Sequence, residues 1–310
     1  MPTEPHITFL GPQRTPRLDE VVASLGLHGP FATVNAGWQE REPEDELLDS
    51  MLGGRSHNLH LWRRMQQLWE ADPEFAEADR ERRDVLEEMQ QLYLQGLDHA
   101  MAAITELHQH TPRNAWVMET ALADTERIVR DLDARHLERV AEVHAEFWSR
   151  TTPHERAELA EAREAIAVEL SDVEAVVIPG GHVGVLLGAL HLFNIAPALD
   201  VPVVAWGAGA MALTERVVLF HDRAAHGPAV AEVFAPGLGL VKETVALPSA
   251  RERLDLANHD RMAILARRFA PSRCLLLDAG AQVHVGADGR LPAGATVIGP
   301  AGSAQPLEAA

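Results

Sequence analysis

The chain has 310 residues, 46% hydrophobic and 24% charged, the proportions of an ordinary globular protein, which exclude disordered, collagen-like and disulfide-scaffold classes. Its 27 basic and 46 acidic side chains give a formal net charge of -19, which excludes a phosphate-tracking nucleic-acid binder and disfavours an anionic membrane partner. No apolar run approaches the roughly 18 residues of a membrane span and the start lacks the regions of a signal peptide, so a cytoplasmic protein without membrane association is expected.

Ile7-Thr8-Phe9-Leu10 reads as a short strand ending at Gly11-Pro12, and Phe31-Ala32-Thr33-Val34 as a second, with a helix over 17–25 between them. A loop from Asn35 to Pro43 follows. Helical periodicity then dominates. Val85, Met89, Leu92, Tyr93, Leu97, Met101, Ile104 and Leu107 recur at three- and four-residue spacing, the stripe of a long amphipathic helix that Thr111-Pro112 breaks. A second stripe runs through Trp116, Leu122, Ile128, Leu132, Val140 and Phe147, and a shorter helix over 154–170 returns the chain to the sheet. Two long helices joined by a tight turn predict an antiparallel hairpin. Residues 40–170 hold 30 acidic and 15 basic side chains, a net of -15, so most of the acidity is the solvated face of this segment.

Beyond Glu174 the pattern changes. Ala175-Val176-Val177-Ile178 and Val201 to Trp206 are continuous apolar runs separated by a helix, and Arg216 to Phe220 reads as a fifth strand. Apolar runs alternating with helices indicate a parallel sheet covered on both faces. The expected fold is a doubly wound, mostly parallel α/β domain, residues 1–40 plus 171–310, with a helical insertion over 41–170. The one cysteine, Cys274, lies in an apolar run and reads as a buried, inert thiol.

In an open parallel sheet, ligands bind beyond the carboxyl ends of the strands. Four loops qualify. Trp38-Gln39-Glu40-Arg41-Glu42 offers a tryptophan, two ligand-facing carboxylates and, in Arg41, a bidentate carboxylate clamp. Its structural alternative has Glu40 and Glu42 starting a helix, Arg41 paired locally and Trp38 packed on the insertion. Pro179-Gly180-Gly181-His182 and Trp206-Gly207-Ala208-Gly209-Ala210 offer backbone donors at helix starts, with His182 as an acid/base or ligand contact. The alternative for their glycines is tight turns and close packing. His221-Asp222-Arg223 closes the set, Asp222 being a candidate for orienting proton transfer or an edge hydrogen bond. His108 and His110, or His221 with His226, lack a full ligand set, so no metal is expected. With no Walker loop, GxGxxG or CxxC, no cofactor is expected either.

Gly180-Gly181-His182, a helix, then Val203 to Ala210 resembles the Gly-Gly…Trp-Ser-Ala-Gly-Ala arrangement of the S51 serine peptidases, the family of dipeptidase E and cyanophycinase. Gly237-Leu238-Gly239-Leu240-Val241 resembles a further element of that family. The resemblance covers about residues 174–285 and leaves out the insertion. It implies the flavodoxin-like, class I glutamine amidotransferase-like fold. It also implies that the nucleophilic serine falls on Gly207, which has no side chain with which to attack. Glu243 to Leu256 holds no histidine, His259 serves only with a longer loop, and Asp278-Ala279 has alanine where cyanophycinase-like members carry an acid.

Three functions follow as expectations. The first is a catalytically degenerate S51-like protein binding a carboxylate-bearing small molecule or peptide through Trp38, Arg41, Gly180, Gly181, His182, Trp206, Gly207 and Ala208. The second is an active amide hydrolase whose water is activated by His182, Glu40 or Asp222. The third is an interaction protein acting through its acidic hairpin, with a homodimer as one form.

Overall fold

The computed structural model describes residues 6–222 and 230–308; Arg223 and His226 lie outside the described residues. β1 (Ile7–Leu10) leads through α1 (Leu18–Ser24) to β2 (Phe31–Thr33), and a 3-10 turn (Ala36–Arg41) and α2 (Glu46–Met51) reach β3 (Ser56–Asn58). Four helices follow: α3 (Leu61–Ala71), α4 (Pro73–Gln109), α5 (Ala115–Thr151) and α6 (Ala157–Ser171). The chain then runs β4 (Ala175–Ile178), α7 (Val183–Leu192), β5 (Val203–Trp206), α8 (Ala208–Leu213), β6 (Arg216–Leu219) and β7 (Glu232–Pro236). It closes with β8 (Thr244–Pro248), α9 (Ala250–Arg253), α10 (His259–Phe269), β9 (Arg273–Leu277), β10 (Gln282–Val285), β11 (Thr296–Ile298) and β12 (Ala304–Pro306).

The central sheet has the order β10-β1-β5-β4-β2-β3, parallel except for β10 on its edge. β1 and β4 are buried along their whole length, as strands covered on both faces must be. Side chains alternate between two cores. Phe9, Ile178 and Ala205 face α3, α6, α7 and α8, whereas Leu10, Val177 and Val204 face α1 and α2. Because α2 follows β2 on one face and α7 follows β4 on the other, the covering helices change sides between these neighbouring strands. A crevice opens at such a point.

Three features depart from the sequence reading. β3 lies inside the stretch 41–170 expected as a helical insertion outside the sheet, yet pairs with β2 at the sheet edge. Its Ser-His-Asn sequence carries no apolar signal. Arg216 to Phe220 does not join the central sheet: β6 pairs antiparallel with β7 in a two-stranded ribbon. Its ends are only partly buried, unlike those of a doubly covered parallel strand. β8 and β9 form a parallel pair in a further four-stranded sheet, β12-β11-β9-β8.

The hairpin is present as α4 and α5, each of 37 residues. Pro73 starts α4 with the Asp72 side chain accepting from Phe75 N–H, and the Asn114 side chain accepts from Trp116 N–H at the start of α5. Phe75 and Phe147 enter the core of the central sheet, while Tyr93, Leu97, Ile104 and Val129 enter a separate core with β6–β9 and α10. The hairpin therefore joins two cores. No helix among the described residues is long and apolar enough to cross a membrane.

Candidate functional site

The loops after β2, β4 and β5 meet backbone to backbone. His182 N–H donates to Gly37 C=O at 2.7 Å, and a Cβ on Gly181 would lie 2.4 Å from that same oxygen. A Cβ on Gly207 would lie 2.9 Å from Gly180 Cα. At both positions only glycine allows the approach, since Gly181 also has φ 137° and Gly207 φ 57°. Gly207, with ψ -126°, makes the sharp strand-to-helix turn that elsewhere lifts a nucleophile above the sheet. Here it carries no side chain.

A cleft of about 690 Å³ opens above these loops, a size suited to a small ligand. Its floor includes Gly180, Gly181, His182, Trp206, Gly207 and Ala208, six of the residues expected from sequence, together with His221. α7 and α8 both begin here; Val185 N–H is taken by His182 and Gly209 N–H by Pro179 C=O, each at 3.2 Å, which leaves the first N–H groups of the two helices, at Val183, Gly184 and Ala208, to the cleft they line. The remaining wall comes from Arg14 beyond β1, Glu232 and Phe234 of β7, and Ser249 and Arg253 beyond β8.

Other expected residues lie elsewhere. Trp38 packs on the core formed with α1 and α2. Glu40 is exposed and outside the cleft lining. Arg41 pairs with Glu44 at 2.7 Å and is 76% exposed, so it is a surface ion pair and does not clamp a cleft ligand. Glu42 is fully buried and accepts N–H bonds from Trp62 and Arg63 at 2.9 and 3.0 Å, capping α3, the second helix after it. Burial pushes its carboxyl pKa up, against the lowering by those two N–H groups. Asp222 accepts from the Arg261 guanidinium at 2.6 Å and from Asp255 N–H at 3.1 Å. It lines a second cavity of about 540 Å³ between α4 and α10.

His182 caps α7, its Nδ1 accepting from Val185 N–H at 3.2 Å. That bond requires a lone pair on Nδ1, which puts the proton of the neutral ring on Nε2. In this orientation the lone pair of the neutral ring is turned to the start of α7, and the Nε2–H is the group left to meet a ligand. The residues that sequence reasoning missed are Glu232, Ser249 and Arg253. Arg253 belongs to the run Arg251-Glu252-Arg253, which reads as a solvated face, and Glu232 sits on a strand too short to stand out. Burial raises the Glu232 carboxyl pKa, the Gln90 hydrogen bond opposes this, and the Asp98 charge adds to it. Ser249 follows the fully buried strand β8, a signal of the same kind as the ends of β4 and β5.

Among the described residues no three His, Cys, Asp or Glu side chains group closely enough to hold a metal ion. Cys274 is buried, and burial pushes its thiol up to about 12. Compared with known proteins, the chain matches no family model and no curated protein sequence.

Proposed function

We propose that the protein is a serine-less relative of the S51 peptidases that binds a small carboxylate-bearing ligand, an amino acid or peptide, in the cleft at the strand ends. The observation that carries this reading is Gly207, whose backbone keeps the φ 57°, ψ -126° of a nucleophile turn without a nucleophile. Arg253 gives the carboxylate a guanidinium partner, and the starts of α7 and α8 give it N–H donors. The strand order supports the flavodoxin-like part of the resemblance. Counted from β2, the run β3-β2-β4-β5-β1 becomes 2-1-3-4-5, the flavodoxin order, with the fifth strand supplied by the chain start. On this reading the protein works in the cytoplasm, without a cofactor.

Butyrate titration followed by NMR tests this reading. Wild type is expected to show saturable shifts at the cleft and Arg253→Gln to bind at least about tenfold more weakly, as loss of a charged hydrogen bond predicts. A serine-directed fluorophosphonate is expected to leave the cleft unlabelled. Equal butyrate affinity in Arg253→Gln, or covalent labelling at Ser249, would contradict the proposal.

The hydrolase alternative has less support, because of His182, Glu40 and Asp222 only His182 lines the cleft, and its Nδ1 is occupied. The interaction alternative draws on Trp116 and Val117 at the hairpin tip, 69% and 54% exposed. A monomer in native mass spectrometry would remove its homodimeric form.

A further inference from the structure

The cleft presents two charges without an opposite partner among the described residues. Glu232 has one carboxylate oxygen 2.9 Å from the Gln90 amide of α4, a neutral donor. The charge that acts on it is that of Asp98, also on α4 and also negative, which adds to the cost of ionising it. Arg253 has no carboxylate beside it, and its guanidinium lies over the Phe220 ring, 5.7 Å from the centroid. The other arginine at the cleft, Arg14, is already bound to Glu252 at 2.8 Å. His182 and His221 are the remaining titratable groups lining the cleft.

A half-buried carboxylate that is met by a neutral amide and repelled by a second anion has lost hydration without gaining a counter-charge. A ligand that brings a cation restores what burial removed. Trp206 and Phe234 line the same cleft and offer aromatic faces, which attract cations. The carboxylate is also held in place from outside the α/β domain. The Gln90 amide reaches Val233 C=O at 3.3 Å as well, and the Tyr93 hydroxyl accepts from Val233 N–H at 3.2 Å. Both residues are on α4, so the helical hairpin supports this wall of the site from behind.

We propose that Glu232 is the receptor for a cationic group on the ligand, an ammonium or guanidinium, and that Gln90 of the hairpin positions it. The ligand class is then a molecule with a positive charge for Glu232 and a carboxylate for Arg253. The carboxylate half rests on the reading above; the cationic half stands on Glu232 alone.

Titration of the full chain with butylammonium and, separately, with butyrate distinguishes the two halves. Wild type is expected to bind butylammonium saturably, and Glu232→Gln to weaken this by about tenfold or more without weakening butyrate, whose anion no longer meets a negative wall. Gln90→Met keeps the length of the side chain and the helix but removes the amide. It is expected to weaken butylammonium less than Glu232→Gln does, again without weakening butyrate. Absence of saturable butylammonium binding in wild type, or equal affinity in Glu232→Gln, overturns the proposal. If butylammonium binding depends on Glu232 but butyrate binding ignores Arg253, this proposal stands and the carboxylate reading fails.

Discussion

Gly207 and Gln39 hold nearly the same backbone angles, φ 57°, ψ -126° and φ 56°, ψ -126°, beyond the ends of two strands of one sheet. For glycine the conformation is open; for glutamine it is strained by about 1–3 kcal/mol. The two positions should therefore respond oppositely to substitution. Gly207→Ala adds a Cβ 2.9 Å from Gly180 Cα at a positive φ, and should destabilise by about 1–3 kcal/mol in urea unfolding. Gln39→Gly removes strain but adds freedom to the unfolded chain, and should stabilise by about 1 kcal/mol. Destabilisation by Gln39→Gly would mean that the glutamine side chain contributes more than its backbone costs. The glycines of the cleft floor were legible in the sequence because small residues after apolar runs mark strand-to-helix turns. Glu232 and Arg253 were not, because a single charge on a short strand or in a charged run looks like any surface charge until the fold turns it inward.

The hairpin reads at first as an appendage, and its packing says otherwise. β7 pairs with β6 along one edge, and side chains of other elements meet backbone groups in and next to it. Gln90 and Tyr93 of α4 bind Val233, and Arg268 of α10 donates to Ala231 C=O at 2.6 Å, just before the strand. Arg268 also donates to both oxygens of Asp133 of α5 at 2.7 Å, with the two side chains only 3% and 5% exposed. Tyr93 donates to Asp133 at 2.7 Å, and burial pushes its hydroxyl pKa up, so it remains a neutral donor. Removing one partner of such a pair leaves the other charge buried. Asp133→Ala should cost about 3–5 kcal/mol in chemical denaturation. A loss below about 1 kcal/mol, the value of a surface pair, would show that the network does not hold the hairpin down. Long helices and the buried strands β1, β2, β4 and β5 were legible because their apolar runs are sustained. β3, β7 and β10–β12 were not, being short and in part polar, and pairing between them depends on contacts remote in sequence.

The charge of -19 divides the chain, and the fold rejoins it: the acidic segment supplies both a strand of the central sheet and the hairpin that connects two cores. Packing at that junction buries histidine as well as apolar residues. Burial, then the charges of Arg82 on α4 and His191 on α7, lower the His144 pKa from 6.5 to about 4. The folded state therefore favours the neutral ring. This contribution is complete above pH 6.5 and is lost as pH falls from 6.5 toward 4, by at most about 3 kcal/mol. Unfolding free energies measured across that window should fall more steeply in wild type than in His144→Gln. Parallel pH profiles would show that His144 titrates alike in both states.

The cleft is the meeting point of these parts: central-sheet loops form its floor, β7 and the residues after β8 its wall, and α4 holds that wall. The most direct test is a crystal structure of the protein soaked with butyrate. The carboxylate is expected within about 2.7–3.2 Å of the Arg253 guanidinium, over Gly207 and with no covalent bond to the chain. A cleft empty at saturating butyrate, or a carboxylate bound only away from Arg253, would contradict the account.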